Sequence, residues 1–188
     1  MIAAQQRVCC LICYLLFAIC YLLFGDELQA SRRPHMTFDL LEFATLFVTG
    51  FTSCAEFGSY AFVHPVIRNL PPEHHVAVEK GLLKTFGRVM PALMTLCPVL
   101  SLSYAILNSA GSAGSAIRWC SAAAFTAALI STFIFNVPIN LATGRWQSDS
   151  RPSNWKQIRD RWEFFQGVRS WLLLIGFLLL SLAVATRA

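Results

Sequence analysis

Residues 170–185 read Ser-Trp-Leu-Leu-Leu-Ile-Gly-Phe-Leu-Leu-Leu-Ser-Leu-Ala-Val-Ala, sixteen positions without a charge. A helix needs about 20 mostly apolar residues to cross a hydrocarbon layer about 30 Å thick, and this run approaches that length. In lipid every backbone N–H and C=O must find its partner within the segment, so the stretch reads as a helix and not as a strand. No alternation of period two argues for a barrel.

Working outward, four more segments have the same character: Val8–Phe24, Leu40–Val66, Val89–Leu107 and Ala116–Ile139. The whole chain of 188 residues is 56% hydrophobic and 13% charged, with a mean hydropathy of +0.55. Soluble domains carry about a quarter charged residues, so much of this surface is expected to face lipid. There are no internal repeats and no long low-complexity linker. The expected fold is all-α: an integral membrane four-helix antiparallel bundle over residues 38–188, preceded by a hydrophobic segment and outer linker over residues 1–37. That first segment reads either as a retained helix or as a signal peptide, with Leu28-Gln29-Ala30 as the small-residue cleavage site.

The basic residues set an expected orientation. With the last four segments as spans, Arg68, Lys80, Lys84 and Arg88 share a side with Arg145, Arg151, Lys156, Arg159, Arg161 and Arg169. The opposite side holds Arg32, Arg33, Arg118 and Arg187. Ten against four places the two long charged loops in the cytoplasm by the positive-inside rule. The net charge of +5 then follows from topology and needs no nucleic-acid partner. Membrane lipid is the partner that the composition implies, with anionic headgroups open to the basic loops.

Cysteine and histidine usage suggests no metal. Cys9, Cys10, Cys13 and Cys20 lie in the first segment, and Cys54, Cys97 and Cys120 lie in later ones, all reading as small apolar side chains inside helices. Cys10-Leu11-Ile12-Cys13 has redox-motif spacing without the βαβ setting such a motif needs. His74 and His75 fall in a charged stretch and read as solvated. Small residues mark close helix packing: Gly50, Cys54 and Gly58 on one span, and Ser121, Ala122, Ala123, Ala124, Ala127 and Ala128 on another. Pro91 and Pro98 remove backbone donors and are expected to bend their helix.

The informative residues are those that lipid should exclude. Glu56 sits well inside a span, with Thr49, Ser53, Tyr60 and His64 at spacings that place all five on one helix face. A buried carboxylate costs at least about 2.5–3.5 kcal/mol on insertion scales unless it is paired, so Glu56 needs an internal partner. Farther along, Asn136 and Asn140 flank Pro138, and Trp162, Gln166 and Arg169 recur on one helical face. Because the last span runs back beside the one before it, Asn140, Arg169 and His64 should share one depth and form a polar pocket.

The run Asn136-Val137-Pro138-Ile139-Asn140, followed by Trp155, Arg159, Arg161, Trp162 and Val168-Arg169-Ser170, resembles the anthrone oxygenase-like membrane family. The stretch from Gly58 to Pro91, with His64-Pro65 and Leu70-Pro71, is similar to it as well. The resemblance covers roughly residues 38–186, and Gln166-Gly167 stand where many members carry Asn-His. It implies a four-helix membrane domain, some of whose fungal members oxidise polyketide anthrones to anthraquinones with molecular oxygen and no added cofactor. On that reading Glu56 or His64 supplies a base, Asn140 and Arg169 stabilise an enolate oxygen, and Tyr60, Trp162, Phe165 and Gln166 contact a lipophilic aromatic substrate. Phe57 and Phe62 would complete a slot for flat rings. Two other classes fit the same residues. One is a non-catalytic scaffold or lipid-binding protein whose polar groups only join helices. The other is a small transporter using Glu56 as an ion site.

Overall fold

The computed structural model describes residues 39–108, 114–146 and 152–186. The N-terminal hydrophobic segment, its four cysteines and the Leu28-Gln29-Ala30 sequence lie outside the described residues, as does most of the Gly/Ser loop after Asn108. The chain divides into two compact units, Met1–Phe43 and Ala44–Ala188, and the site described below belongs to the second.

Among the described residues four helices are long and apolar enough to cross a membrane: α1 (Leu40–Arg68), α2 (Pro72–Leu107), α3 (Ser115–Arg145) and α4 (Trp155–Ala185). No strand occurs among the described residues. Asp39 caps the first turn of α1, its carboxylate accepting from the Glu42 N–H at 3.0 Å. Pro71 precedes α2 and Pro72 opens it, where a missing N–H leaves no helical bond unmade.

The pairings are antiparallel. Against α4, Gly50 abuts Phe177, the Ser53 hydroxyl donates to the Leu173 carbonyl at 2.9 Å, and the Glu56 carbonyl accepts from Ser170 at 3.3 Å. Partners therefore advance along α1 as they retreat along α4. In the same way Ser121 donates to the Gly176 carbonyl at 2.7 Å, while Asn136 donates to the Trp162 carbonyl at 3.2 Å. Arg118 reaches the Asn108 carbonyl at one end of the α2–α3 pair, and Lys80 reaches the Trp146 carbonyl at the other. The apolar centre is Met94, Cys97, Phe125, Ala128 and Leu173.

Polarity is arranged inside out relative to a soluble bundle. Phe47, Phe51, Phe133, Ile134, Phe164, Leu178 and Leu182 face outward, while Thr45, Thr49, Ser53, Glu56, Gln166 and Arg169 are buried. An outer surface this apolar suits hydrocarbon, and small or hydroxylated residues at helix contacts let backbones approach. Only some of the expected small residues do so. Gly50, Ser121, Ala122 and Ala128 are packed against neighbours, whereas Cys54 is exposed and a Cβ at Gly58 would meet nothing within 4 Å.

Two prolines reshape their helices. A π turn, Ser59–Val63, directly precedes His64-Pro65, and another, Thr132–Asn136, directly precedes Val137-Pro138. A proline ring presses on the carbonyl four residues back and offers it no N–H, and a wider i→i+5 turn relieves that crowding. The His64 N–H accordingly donates to the Ser59 carbonyl and the Val137 N–H to the Thr132 carbonyl. In an unbroken α-helix His64 would lie roughly 80° around from Glu56. The wider turn winds less per residue and takes up that offset. Pro91 and Pro98, by contrast, sit within continuous α-helix.

The structure corrects one expectation of the fold. The charged stretches read as long loops are largely helical: α2 starts at Pro72 and α4 at Trp155. Glu, Lys, Arg and Leu are good helix formers, and hydropathy alone cannot see a helix whose interior face is built from ion pairs. His75 is accordingly buried on α2 and stacks edge-on against Trp155 at 5.3 Å, not solvated in a loop; His74 is exposed.

Candidate functional site: a polar-floored cleft between the helices

Glu56 does find an internal partner. Its Oε2 accepts from Arg169 Nη2 at 2.7 Å and from Gln166 Nε2 at 2.9 Å, and Arg169 also donates to Gln166 Oε1. All three side chains are buried, with Glu56 2% and Arg169 6% exposed. Gln166 and Arg169 are three apart on α4, which places them on one face, opposite the single carboxylate of α1. The triad thus joins α1 to α4 while completing a charge pair away from water, the arrangement a buried carboxylate requires.

A second polar cluster adjoins it. Arg159 Nη2 lies 2.5 Å from Glu79 Oε1, and the same oxygen is 3.9 Å from His64 Nδ1 and 3.8 Å from His75 Nε2. The Arg159 guanidinium also lies over the Trp162 ring, 4.2 Å from its centroid, a cation–π contact strengthened by burial. The His64 ring also packs on Trp162, 4.9 Å between centroids. Farther out, Arg68 pairs with Glu163. Among the described residues no group of His, Cys, Asp and Glu is placed to hold a metal ion; a guanidinium occupies the position beside Glu79.

Above the triad lies a cleft of about 120 Å³. Its floor is Glu56, Gln166, Arg169 and Trp162, its far end His64 and Glu79, and its walls are the apolar faces of α2 and α3 with Asn140. Several residues of this lining carry a buried polar atom with no hydrogen-bond partner: His64 Nδ1, Asn140 Oδ1, Trp162 Nε1 and Arg169 Nε. Native interiors rarely leave such atoms unsatisfied, and clusters of them mark places where a ligand or water completes the set.

Six of the eight residues singled out from the sequence line this one cleft: Glu56, His64, Asn140, Trp162, Gln166 and Arg169. Tyr60 and Phe165 do not. The Tyr60 ring fills the space beside Gly167, where a Cβ would come within 2.8 Å of it. Phe165 stacks face to face on Phe135 with centroids 3.7 Å apart. Of the wider slot, Phe62 is 74% exposed on the outer surface and Phe57 packs against Trp171, so neither lines this cleft. Tyr60 and Phe62 lie within the π turn, which changes the winding of α1 from that of an ideal helix; Phe57 precedes that turn and Phe165 lies on α4, and both are held by their ring contacts. Glu79 and Arg159 were missed. A signal existed, since Arg159 continues the Trp162, Gln166 and Arg169 stripe one turn back, and Glu79 follows His75 by four residues.

The family model for anthrone oxygenase matches residues 82–179, just over half of the chain. That range includes Asn140, Arg159, Trp162, Gln166 and Arg169 and leaves Glu56, His64 and Glu79 outside. No curated protein and no solved structure matches the chain. A match of this extent, over the helices that build most of the cleft, makes the chain a membrane-spanning member of the anthrone oxygenase family.

Proposed function

We propose that this protein is a cofactor-independent oxygenase acting in the cleft on a lipophilic aromatic molecule with an acidic methylene, of which an anthrone is the type. The observation that carries this reading is the set of residues with unpartnered polar atoms gathered on a cleft with a polar floor and apolar walls. An anthrone methylene beside its rings loses a proton to give an electron-rich enolate, which reacts with oxygen directly. The balance closes without a reductant: the methylene loses two hydrogens and gains one oxygen atom as a carbonyl, and the other oxygen leaves as water.

The geometry refines the roles. Glu56 Oε2 is already engaged by two donors, so Glu56 serves to hold Arg169 and Gln166 in place. His64, which lines the cleft and whose Nδ1 makes no hydrogen bond and lies 3.9 Å from Glu79 Oε1, is the base. The Trp162 and Arg169 N–H groups left unpartnered are the donors for the enolate oxygen, stabilising charge in a site with little water. Asn140 Oδ1 accepts from a substrate hydroxyl. By the excess of Lys and Arg on that side, the end of the bundle holding the cleft faces the cytoplasm.

Oxygen uptake by purified protein supplied with an anthrone tests this. Wild type is expected to exceed the spontaneous rate and to yield the quinone. His64→Asn should lower the rate by about 10²-fold or more, the usual size of a lost general base. Uptake no faster in wild type than in buffer would sink the proposal. One observation favours a second, non-catalytic reading: Glu56 and Arg169 satisfy each other, as a purely structural bridge between α1 and α4 would. On that reading His64→Asn and Trp162→Phe change nothing measurable beyond stability.

A further inference from the structure

The cleft has a mouth, and its position bears on how a substrate arrives. The rim is built from Leu83, Phe86, Gly87 and Pro91 of α2 and from Leu129, Phe133 and Val137 of α3. Phe133 is 60% and Phe86 39% exposed, so this rim lies on the outer surface of the bundle. Around it Val89, Ile130 and Ile134 are exposed and apolar, and Lys84 and Arg88, in the same stretch of α2, are exposed and charged. That mixture suits the level where hydrocarbon gives way to headgroups, the depth at which amphipathic aromatic groups settle.

Two residues keep the rim open. Gly87 contributes no side chain to the rim beside Phe86, and a Cβ there would touch only Leu83, at 3.8 and 3.9 Å. Pro91, one turn farther along, has no N–H to close a helical bond onto the Gly87 carbonyl. The mouth therefore combines an aromatic edge, a gap one side chain wide and a backbone acceptor.

We propose that the substrate enters sideways from the bilayer between α2 and α3, and that Gly87 is the position that sets the size of molecule admitted. The occupant is a flat, apolar aromatic bearing a hydroxyl. Its rings pass between Phe86 and Phe133, its hydroxyl pairs with the Gly87 carbonyl on the way, and its carbonyl end reaches the Trp162 and Arg169 donors on the floor. This rests on the cleft being the reaction chamber. A route from the aqueous end is the competing path: a second cavity there is lined by Arg68, Leu70, Pro72 and Trp155.

The test uses the full chain in phosphatidylcholine nanodiscs, with a dihydroxyanthraquinone as the probe, followed by quenching of tryptophan fluorescence. Gly87→Phe, which fills the gap, should slow association and raise Kd by about tenfold or more, in the range that a steric mismatch in an apolar site produces. Phe133→Ala, on an exposed edge that the fold tolerates, should speed association. Leu70→Trp, which narrows the aqueous-end cavity, should change neither. The proposal is overturned if wild type does not quench, if association is insensitive to both Gly87→Phe and Phe133→Ala, or if Leu70→Trp is the variant that slows it. The two readings fail separately. Probe binding that is sensitive to Gly87, without oxygen uptake, removes the oxygenase reading and keeps the route. Oxygen uptake unaffected by Gly87→Phe removes the route and keeps the oxygenase.

Discussion

Replacing Arg169 by Met should be among the most damaging single changes in this chain, and replacing its partner at the same time should repair much of it. Arg169 is 6% and Glu56 2% exposed, and their 2.7 Å contact is the charge pair joining α1 to α4. Arg169→Met leaves the Glu56 carboxylate with only the Gln166 amide as a donor. Breaking one side of a buried pair costs about 3–5 kcal/mol, or roughly 150- to 5,000-fold in the folding equilibrium. Glu56→Leu strands the guanidinium and should cost a similar amount. The double variant Glu56→Leu/Arg169→Met removes both charges, and such replacements by apolar residues of similar volume are often neutral or stabilising. The cycle should therefore show a coupling of at least about 2 kcal/mol, above the largest values, about 1.7 kcal/mol, seen for neutral interhelical hydrogen bonds in membranes. Unfolding by SDS in mixed micelles, followed by circular dichroism, measures all four corners. If the double variant costs as much as the two single variants together, the pair is not what holds these helices, and the reasoning about the floor of the cleft fails with it.

Three further outcomes are expected. Gly176→Ala should destabilise by about 1–3 kcal/mol in the same titration, because its Cβ would lie 3.1 Å from the ring of Phe125, which is fully buried and cannot retreat. Gly81→Ala, where a Cβ meets nothing within 4 Å, should instead stabilise α2 by about 0.5–1 kcal/mol through helix propensity. Trp162→Phe keeps an aromatic ring under Arg159 but removes the unpartnered indole N–H. Losing one oxyanion donor costs up to about 10²–10³-fold in kcat, so oxygen uptake should fall steeply while the unfolding midpoint moves little. Equal loss of stability and activity would place Trp162 in packing alone.

What the sequence determined by itself is the solvent and the helices. Uncharged runs such as residues 170–185 cannot be solvated by water or left unpaired in lipid, so their length and composition decide helix type and membrane location without reference to any neighbour. The same constraint made Glu56 conspicuous and required that something pair with it. It also grouped Trp162, Gln166 and Arg169, because 3.6-residue periodicity is a local property of the backbone. Tertiary structure alone decided which partners met. That Arg169 and Gln166 answer Glu56 depends on the register of α1 against α4, fixed by contacts such as Gly50 on Phe177 and Ser53 on the Leu173 carbonyl. The π turn before Pro65 changed the winding of α1 and kept His64 on the cleft, while the close approach of α1 to α4 at Gly167 took up the Tyr60 ring. The burial of Glu79 with Arg159 was hidden for a related reason: hydropathy counts each charge as exposed, and only the packing of α2 on α4 shows that the two cancel each other inside.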